Sequence, residues 1–166
     1  QVKEVERTTL QAYAGYRGGA VHHPRGNIWE VPTELALPCA TQNELAAADA
    51  RMLVANGCLA VAEGANMPTT PEGLEVLRAG GVLFGPGKAA NAGGVATSAL
   101  EMQQNAARDS WTFAHTEAKL AEIMSSIHEQ CAVTAEAYGR PGDYVLGANV
   151  AGFVRVADAM VALGLI

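Results

Sequence analysis

Basic residues are scarce in this chain, and that scarcity limits the partners it can have. Lys and Arg number 11 against 17 Asp and Glu in 166 residues, which gives a formal net charge of -6. Nucleic-acid binding needs a basic face that neutralises phosphates, and neither the total charge nor its distribution provides one. The sequence therefore predicts no nucleic-acid partner.

Long apolar runs and paired cysteines are missing as well. No uninterrupted apolar stretch approaches the roughly 20 residues that a bilayer crossing requires, and we find no secretory signal. The three cysteines, Cys39, Cys58 and Cys131, are an odd number without metal-ligand or CxxC spacing. Such a set suits a reducing compartment. We therefore expect a water-soluble, cytoplasmic protein with no membrane segment.

Apolar residues are plentiful and charged residues few, at 49% and 17% of the chain. This balance excludes a disordered tail and allows a sizeable buried core. The length is near the commonest domain size, so one compact unit is the first expectation. The chain starts at Gln1 and not at Met, which favours a piece of a longer protein.

Three short apolar runs, at residues 35–37, 59–62 and 82–84, are each followed by a helical pattern. We predict the first helix from about 43 to 56, where Gly57 ends it, and the second from the Thr70 cap and Pro71 to Gly80. The third extends to about Arg108. Continuous apolar strands are typical of a sheet that is buried on both faces. The pattern therefore predicts an α/β fold with a parallel βαβαβ sheet flanked by helices.

The segments on either side of this unit also have interpretable patterns. Residues 2–16 predict an amphipathic helix, and a short strand is expected near Ile28 and Trp29. After Ser110 the pattern is helical only, with two apolar stripes that end near Gly139 and Gly164. The stripes are formed by Leu120, Ile123, Met124, Ile127 and Cys131, and by Val150, Phe153, Val154, Ala157 and Val161.

The three loops that follow the predicted strands are rich in small residues. Since ligands of open parallel sheets bind at the carboxyl ends of the strands, these loops are the candidate site. For any single loop, glycines that only make a turn are the better interpretation, but three such loops at one edge favour a ligand. Their polar side chains are Thr41, Gln42 and Asn43, then Glu63 and Asn66, then Lys88 and Asn91.

Other chemistry has weaker support. GPGKAA at residues 85–90 formally matches the dinucleotide fingerprint, but no second strand with an acidic end follows it, so we reject it as the main phosphate loop. A solvated surface position is the better interpretation of Lys88. The four histidines lack ligand spacing, and we predict no metal site. Ser98 lacks the surroundings of a hydrolase nucleophile, and from spacing alone it is interpreted as a helix cap.

Several long strings closely resemble the C-terminal half of NADP-dependent glutamate dehydrogenases of the hexameric bacterial and fungal type. They are LPCATQNEL at 37–45, AEGANMPTT at 62–70 and GPGKAANAGGVATS at 85–98. GANVAGF at 147–153 and the chain ending are similar to that family's final helix. The resemblance implies a partial Rossmann-like sheet followed by C-terminal helices. It also implies that residues 1–110 are the C-terminal portion of a nucleotide-binding domain and that 111–166 pack back toward a substrate domain.

The resemblance also assigns roles to site residues. Ala40, Thr41 and Gln42, together with Gly64, Ala65 and Asn66, match the loops that lie along the nicotinamide and its ribose. Ser98 matches the serine that hydrogen-bonds the distal carboxylate of the substrate, with Val95 and Asn91 lining the same cleft. This implied role replaces the cap interpretation of Ser98, and a hydroxyl at the mouth of a helix N-terminus suits an anionic group.

The resemblance implies an oxidoreductase that interconverts L-glutamate with 2-oxoglutarate and ammonium, using NADP, as a homo-oligomer expected to be a hexamer. The family's catalytic lysine and aspartate have no counterpart here, so we identify no catalytic residue and expect the isolated chain to be inactive. The sheet should also lack strands on one side. Two alternatives stay open: a noncatalytic assembly module, and a related dehydrogenase that acts on another amino acid.

Overall fold

The computed structural model describes residues 4–24 and 26–165 and confirms the predicted α/β fold. Three parallel strands form one sheet in the order β1-β2-β3. In the described ranges a 3₁₀ helix lies at Ile28–Glu30. The strands are β1 (Leu35–Ala36), β2 (Ala60–Ala62) and β3 (Leu83–Gly85), and the helices are α1 (Leu10–Tyr16), α2 (Ala47–Ala55), α3 (Pro71–Ala79), α4 (Gly87–Ala90), α5 (Ala92–Ala107), α6 (Phe113–Ala137) and α7 (Tyr144–Ala162).

One face of the sheet forms the core with helices α2 and α3. Ala36 pairs with Val61, which pairs with Phe84, so these three side chains point to the same face. Leu53 and Leu77, fully buried on the two helices, belong to the same core cluster. The opposite face is partly open, because Leu35 and Leu83 are more than 60% exposed. The sheet is therefore covered by helices mainly on one face.

The structure confirms the predicted end of α2 and the predicted start of α3. Gly57 follows α2 with a φ of +81°, a left-handed conformation that glycine adopts at little cost. Thr70 caps α3 by accepting a hydrogen bond from the Gly73 amide at 3.1 Å, and Pro71 is the first helical residue. These local signals therefore fix where each helix turns back toward the sheet.

The predicted start of α2 is wrong by about one turn. The helix begins at Ala47 and not near Asn43, because the preceding residues pair with the next loop. Leu45 forms a parallel bridge with Thr69, and Asn43 has a φ of +58°. Hydrogen bonds from the Asn43 and Leu45 amides to the carbonyls of Met67 and Pro68 therefore hold these residues outside the helix.

The N-terminal predictions also need correction. The helix expected over 2–16 is confined to Leu10–Tyr16; residues 2 and 3 lie outside the described ranges, and Arg7 has a φ of +50°, which a helix does not tolerate. The strand expected at Ile28 and Trp29 is the 3₁₀ helix. Asn27 caps it in a capping box with Glu30, and this local bonding excludes an extended strand.

Helices α6 and α7 form an antiparallel pair joined by a turn at 138–143. They approach most closely where Gly147 of α7 meets the main chain of Cys131 in α6. Burial raises the pKa of the Cys131 thiol. The predicted stripe on α7 is only partly covered, since Phe153 and Val161 are exposed. Within residues 4–24 and 26–165, α7 is the one helix that is long and apolar enough to cross a membrane by length and composition. Asn149, Arg155 and Asp158 interrupt its apolar residues, so it is not an uninterrupted apolar run.

Candidate functional site

The three loops predicted to form the site do meet at one edge of the sheet. The first two are joined by main-chain hydrogen bonds: the amides of Gly64 and Ala65 both donate to the Pro38 carbonyl, at 2.9 and 3.0 Å. Further along, the Asn43 amide donates to the Met67 carbonyl at 3.0 Å. The loop after β1 and the loop after β2 therefore form one continuous surface.

Asn91 joins the third loop to the second. Its side-chain amide nitrogen donates to the Ala65 carbonyl at 3.0 Å and to Asn66 Oδ1 at 2.8 Å. Asn91 follows α4 directly and is half-buried, so the elements after β3 hold it in place. The structure therefore brings together Ala65, Asn66 and Asn91, as the sequence predicted.

Small residues are required where these loops touch. A Cβ on Gly64 would lie 2.4 Å from Cys39 Sγ, and a Cβ on Gly87 would lie 2.9 Å from the Ala65 carbonyl oxygen. Both distances are shorter than any ordinary contact. A larger residue at Gly64 would require the Cys39 side chain to rotate, whereas a larger residue at Gly87 meets main chain and would push the loops apart. The outer surface of the joined loops is exposed and uncharged, and it carries Ala40, Thr41, Gln42, Gly64 and Asn66. A flat ligand can approach the main chain closely on such a surface.

The first loop is ordered by a residue that the site prediction omitted. Glu44 Oε1 accepts hydrogen bonds from the Ala40 and Thr41 amides, at 2.7 and 3.2 Å. A threonine followed three residues later by a glutamate is a recognisable local pattern, here Thr41 to Glu44. The sequence signal was therefore present. It marks a loop turn in this structure, since α2 starts only at Ala47.

Ser98 does not lie where the sequence placed it. It is the seventh residue of α5 and neither caps the helix nor lies at its N-terminus, so both expectations are wrong. The short helix α4 takes up the preceding residues, which moves the start of α5 to Ala92. The Ser98 hydroxyl is exposed and donates to the Gly94 carbonyl of its own helix at 3.2 Å. The lone pairs of the hydroxyl oxygen do not take part in this bond and can accept from a ligand. The hydroxyl must rotate away from Gly94 before it can donate to a ligand.

The three predicted substrate residues nevertheless share one helix face. Ser98 is seven positions from Asn91, nearly two full helical turns, which places it about 10 Å further along the same side. Val95 lies between them on that face and is 72% exposed. The exposed face of α5 therefore continues the loop surface that starts at Asn66.

The Lys88 side chain contacts another helix and not the joined loops. Its ammonium contacts the side-chain oxygen of Asn149 in α7, so it links α4 to the last helix. Across residues 4–24 and 26–165, no group of three His, Cys, Asp or Glu side chains is close enough to hold a metal ion. The candidate site therefore offers main-chain groups, amides and a hydroxyl.

A separate apolar cavity of about 310 Å³ lies between β2, β3 and α6. Met124, Ile127 and Cys131 form its helical wall, and His128 contacts Tyr144 at 3.2 Å beside it. None of the predicted site residues lines this cavity. It is therefore distinct from the loop surface.

Comparisons with known proteins give consistent results. The sequence profile of the Glutamate/Leucine/Phenylalanine/Valine dehydrogenase family matches residues 1–164. The chain is 59% identical over 148 residues to the NADP-specific glutamate dehydrogenase of Escherichia coli (strain K12), covering 89% of this chain and 33% of that protein. It is 52% identical over 164 residues to the NADP-specific glutamate dehydrogenase of Haemophilus influenzae, covering 98% of this chain and 36% of that protein.

A solved structure agrees with the sequence matches. Glutamate dehydrogenase 2 of Plasmodium falciparum has a TM-score of 0.93 and 44% identity to this chain, covering 99% of this chain and 36% of that one. The chain spans about a third of the length of these relatives.

Proposed function

The chain belongs to the Glutamate/Leucine/Phenylalanine/Valine dehydrogenase family, and from this membership we propose that the whole protein is an NADP-dependent glutamate dehydrogenase. It converts L-glutamate reversibly to 2-oxoglutarate and ammonium. The observation that supports this most directly is the convergence of three small-residue loops at one sheet edge, joined by the two hydrogen bonds of Asn91. The high identity to enzymes named NADP-specific supports the choice of cofactor.

The loop surface fits the nicotinamide end of NADP. Ala40, Thr41 and Gln42 on one loop, and Gly64, Ala65 and Asn66 on the next, would hold the ring and its ribose. When bound, NADP supplies the hydride acceptor or donor. Asn66 uses its side-chain oxygen to accept from Asn91, which leaves its amide N–H groups to donate to an acceptor. The loops thus orient the cofactor through close contact and a few fixed donors.

The face of α5 would complete the substrate side of the cleft. The Ser98 hydroxyl, once rotated away from Gly94, donates to the distal carboxylate of glutamate. Val95 contributes exposed apolar surface that excludes water when the cleft closes. The lysine and aspartate that move protons in the family lie outside this chain. Its own contribution is to bind and orient, and the isolated chain is expected to be inactive.

The rest of the protein would cover the surfaces that are open in this chain. Phe153, Val156 and Val161 on α7 are each at least 60% exposed. A bilayer is a poor environment for this helix, because it includes Arg155 and Asp158. We expect residues 111–166 to pack against the substrate domain of a cytoplasmic homo-oligomer, a hexamer, whose subunit count light scattering would measure.

The substrate assignment can be tested at Ser98 in the full-length protein. Initial rates of NADPH formation are measured with glutamate, leucine, phenylalanine and valine as substrates. Glutamate should support the highest rate, and Ser98→Leu should raise the KM for glutamate by about tenfold or more, the loss expected for a hydrogen bond to a charged group. Thr97→Ala is the matched control, because Thr97 makes the same kind of bond to Gly93, one residue earlier on the helix.

Three results would contradict the proposal. An unchanged KM for glutamate in Ser98→Leu would remove Ser98 from the substrate site, and a higher rate with leucine, phenylalanine or valine would favour the related dehydrogenase. Production of NADPH by the isolated 166 residues above a blank would show that the chain contains a complete active site.

A further inference from the structure

Glu63 is a buried carboxylate for which the proposed reaction has no direct use. Among the described residues it is the one charged side chain that is buried, with 6% of its surface exposed. No ion pair to Glu63 occurs within the described ranges. A carboxylate removed from water needs compensating hydrogen bonds, so its partners define its purpose.

Both oxygens of Glu63 accept hydrogen bonds from main-chain amides. Oε2 accepts from Gly87 at 2.6 Å, and Oε1 accepts from Thr69 at 3.1 Å. Gly87 is the first residue of α4, in the loop region after β3, whereas Thr69 lies near the end of the loop after β2. One carboxylate therefore fixes the second loop at both ends and connects it to the third.

These bonds lie directly beneath the loop surface. The position that a Cβ of Gly87 would take is 2.9 Å from the Ala65 carbonyl oxygen, 3.1 Å from Glu63 Oε2 and 3.5 Å from Asn91 Nδ2. The carboxylate and the Asn91 amide thus both lie close to the same glycine. A shift of Gly87 would displace Ala65 and Asn91 together.

We propose that Glu63 is a positioning residue for cofactor binding, which acts by holding Ala65 and Asn66 in register with Asn91. This inference rests on the proposed function, because it takes the loop surface to be the nicotinamide site. Both partners of Glu63 are donors, so the role requires a group that only accepts. A glutamine of equal size would place its NH₂ group against one of the two amides.

The test compares Glu63→Gln with wild type in the full-length enzyme. We expect the KM for NADP to rise about tenfold, because one hydrogen bond loses its charge assistance and the other is replaced by a donor facing a donor. The KM for glutamate and the kcat should change less than about threefold, since Ser98 is on α5 and remains in place. Glu75→Gln on the exposed side of α3 is the matched control and should behave as wild type.

A second variant disturbs the same contact without removing the carboxylate. Gly87→Ala introduces the Cβ that meets Ala65 and Glu63, in a backbone conformation that alanine adopts readily. It should raise the KM for NADP by about threefold or more and lower the melting temperature by only a few degrees. This variant decides the question if Glu63→Gln does not fold.

The outcomes separate the two proposals. A raised KM for NADP in Glu63→Gln, or in Gly87→Ala where only that variant folds, supports the role of Glu63. An active wild-type enzyme whose folded variants keep the wild-type KM for NADP overturns it and leaves the proposed function intact. A lowered melting temperature with unchanged kinetics also overturns it, because Glu63 is then only a structural residue. A wild-type protein that cannot oxidise glutamate with NADP overturns the proposed function, and the role of Glu63 with it.

Discussion

The contact between α6 and α7 predicts that a substitution at Gly147 destabilises α7. A Cβ at this position would lie 2.0 Å from the carbonyl oxygen of Cys131 and 2.8 Å from its carbonyl carbon. The obstacle is main chain, which cannot rotate away as a side chain would. Gly147→Ala therefore forces the two helices apart by about 1.5 Å to restore an ordinary contact of about 3.5 Å.

The size of the effect follows from two opposing contributions. Alanine stabilises a helix by about 1 kcal/mol relative to glycine. Overpacking of a buried contact costs about 1–3 kcal/mol, and the rigid main-chain neighbour places this case at the upper end. The net expectation is a loss of about 2 kcal/mol in the local stability of α7. Gly152→Ala on the same helix has nothing within 4 Å of the new Cβ, so it should gain about 1 kcal/mol.

Amide hydrogen exchange across residues 144–162 of the full-length protein measures this local stability. A loss of about 2 kcal/mol corresponds to exchange that is about 30-fold faster in Gly147→Ala, whereas Gly152→Ala should exchange about fivefold more slowly. If Gly147→Ala protects α7 as well as Gly152→Ala does, the close approach of the helices is wrong.

Two further predictions concern the same helix pair. Asp143 caps α7 at the Leu146 amide, so Asp143→Ala should cost about 1–2 kcal/mol of local stability by the same exchange measurement. Asp143 also pairs with Arg78, whose side chain is 44% exposed, so Arg78→Met should cost less than about 1 kcal/mol. Equal losses in the two variants would contradict the capping role. Burial raises the pKa of the Cys131 thiol above its ordinary value of 9.0, so the fold disfavours the thiolate and the helix pair should lose stability as the pH rises through that value. Iodoacetamide at pH 8 should accordingly modify the exposed Cys39 about tenfold faster than Cys131, and equal rates would refute this burial.

Local signals in the sequence were sufficient for the βαβ framework. Gly57 and the Thr70–Pro71 pair act within one helical turn of their own positions, and the structure confirms them. The capping box at Asn27 and Glu30 is equally local, yet the sequence reading favoured a strand there because apolar Ile28 and Trp29 lie inside it. That error was avoidable, since the side chain three residues after the cap reveals the turn.

The errors at α2 and α5 have a different origin. Asn43 and Leu45 stay outside the helix because their amides bond to Met67 and Pro68 on the next loop, and no pattern near residue 43 reports that pairing. Likewise, the break at Asn91 depends on the two oxygens that its amide meets on the second loop. Spacing alone predicts that Ser98 is a helix cap, whereas the long-range contacts of Asn91 decide where α4 ends and α5 begins.

The same limit applies to the charge of the site. Three acidic or basic side chains, Glu44, Glu63 and Lys88, belong to the candidate loops. The sequence pattern places Glu63 and Lys88 among the polar groups of the site, although a surface position is the better interpretation of Lys88. In the structure both carboxylates accept hydrogen bonds from main-chain amides, Glu44 within its own loop and Glu63 from its own loop and the next one. Lys88 contacts Asn149. The exposed loop surface is left without a formal charge, although the chain carries -6. With the loop surface as the proposed nicotinamide site, affinity for the cofactor depends on close contact and correctly aimed donors, and both are sensitive to loop position. On this proposal Glu44 and Glu63 serve recognition indirectly, by fixing the main chain that the ligand meets.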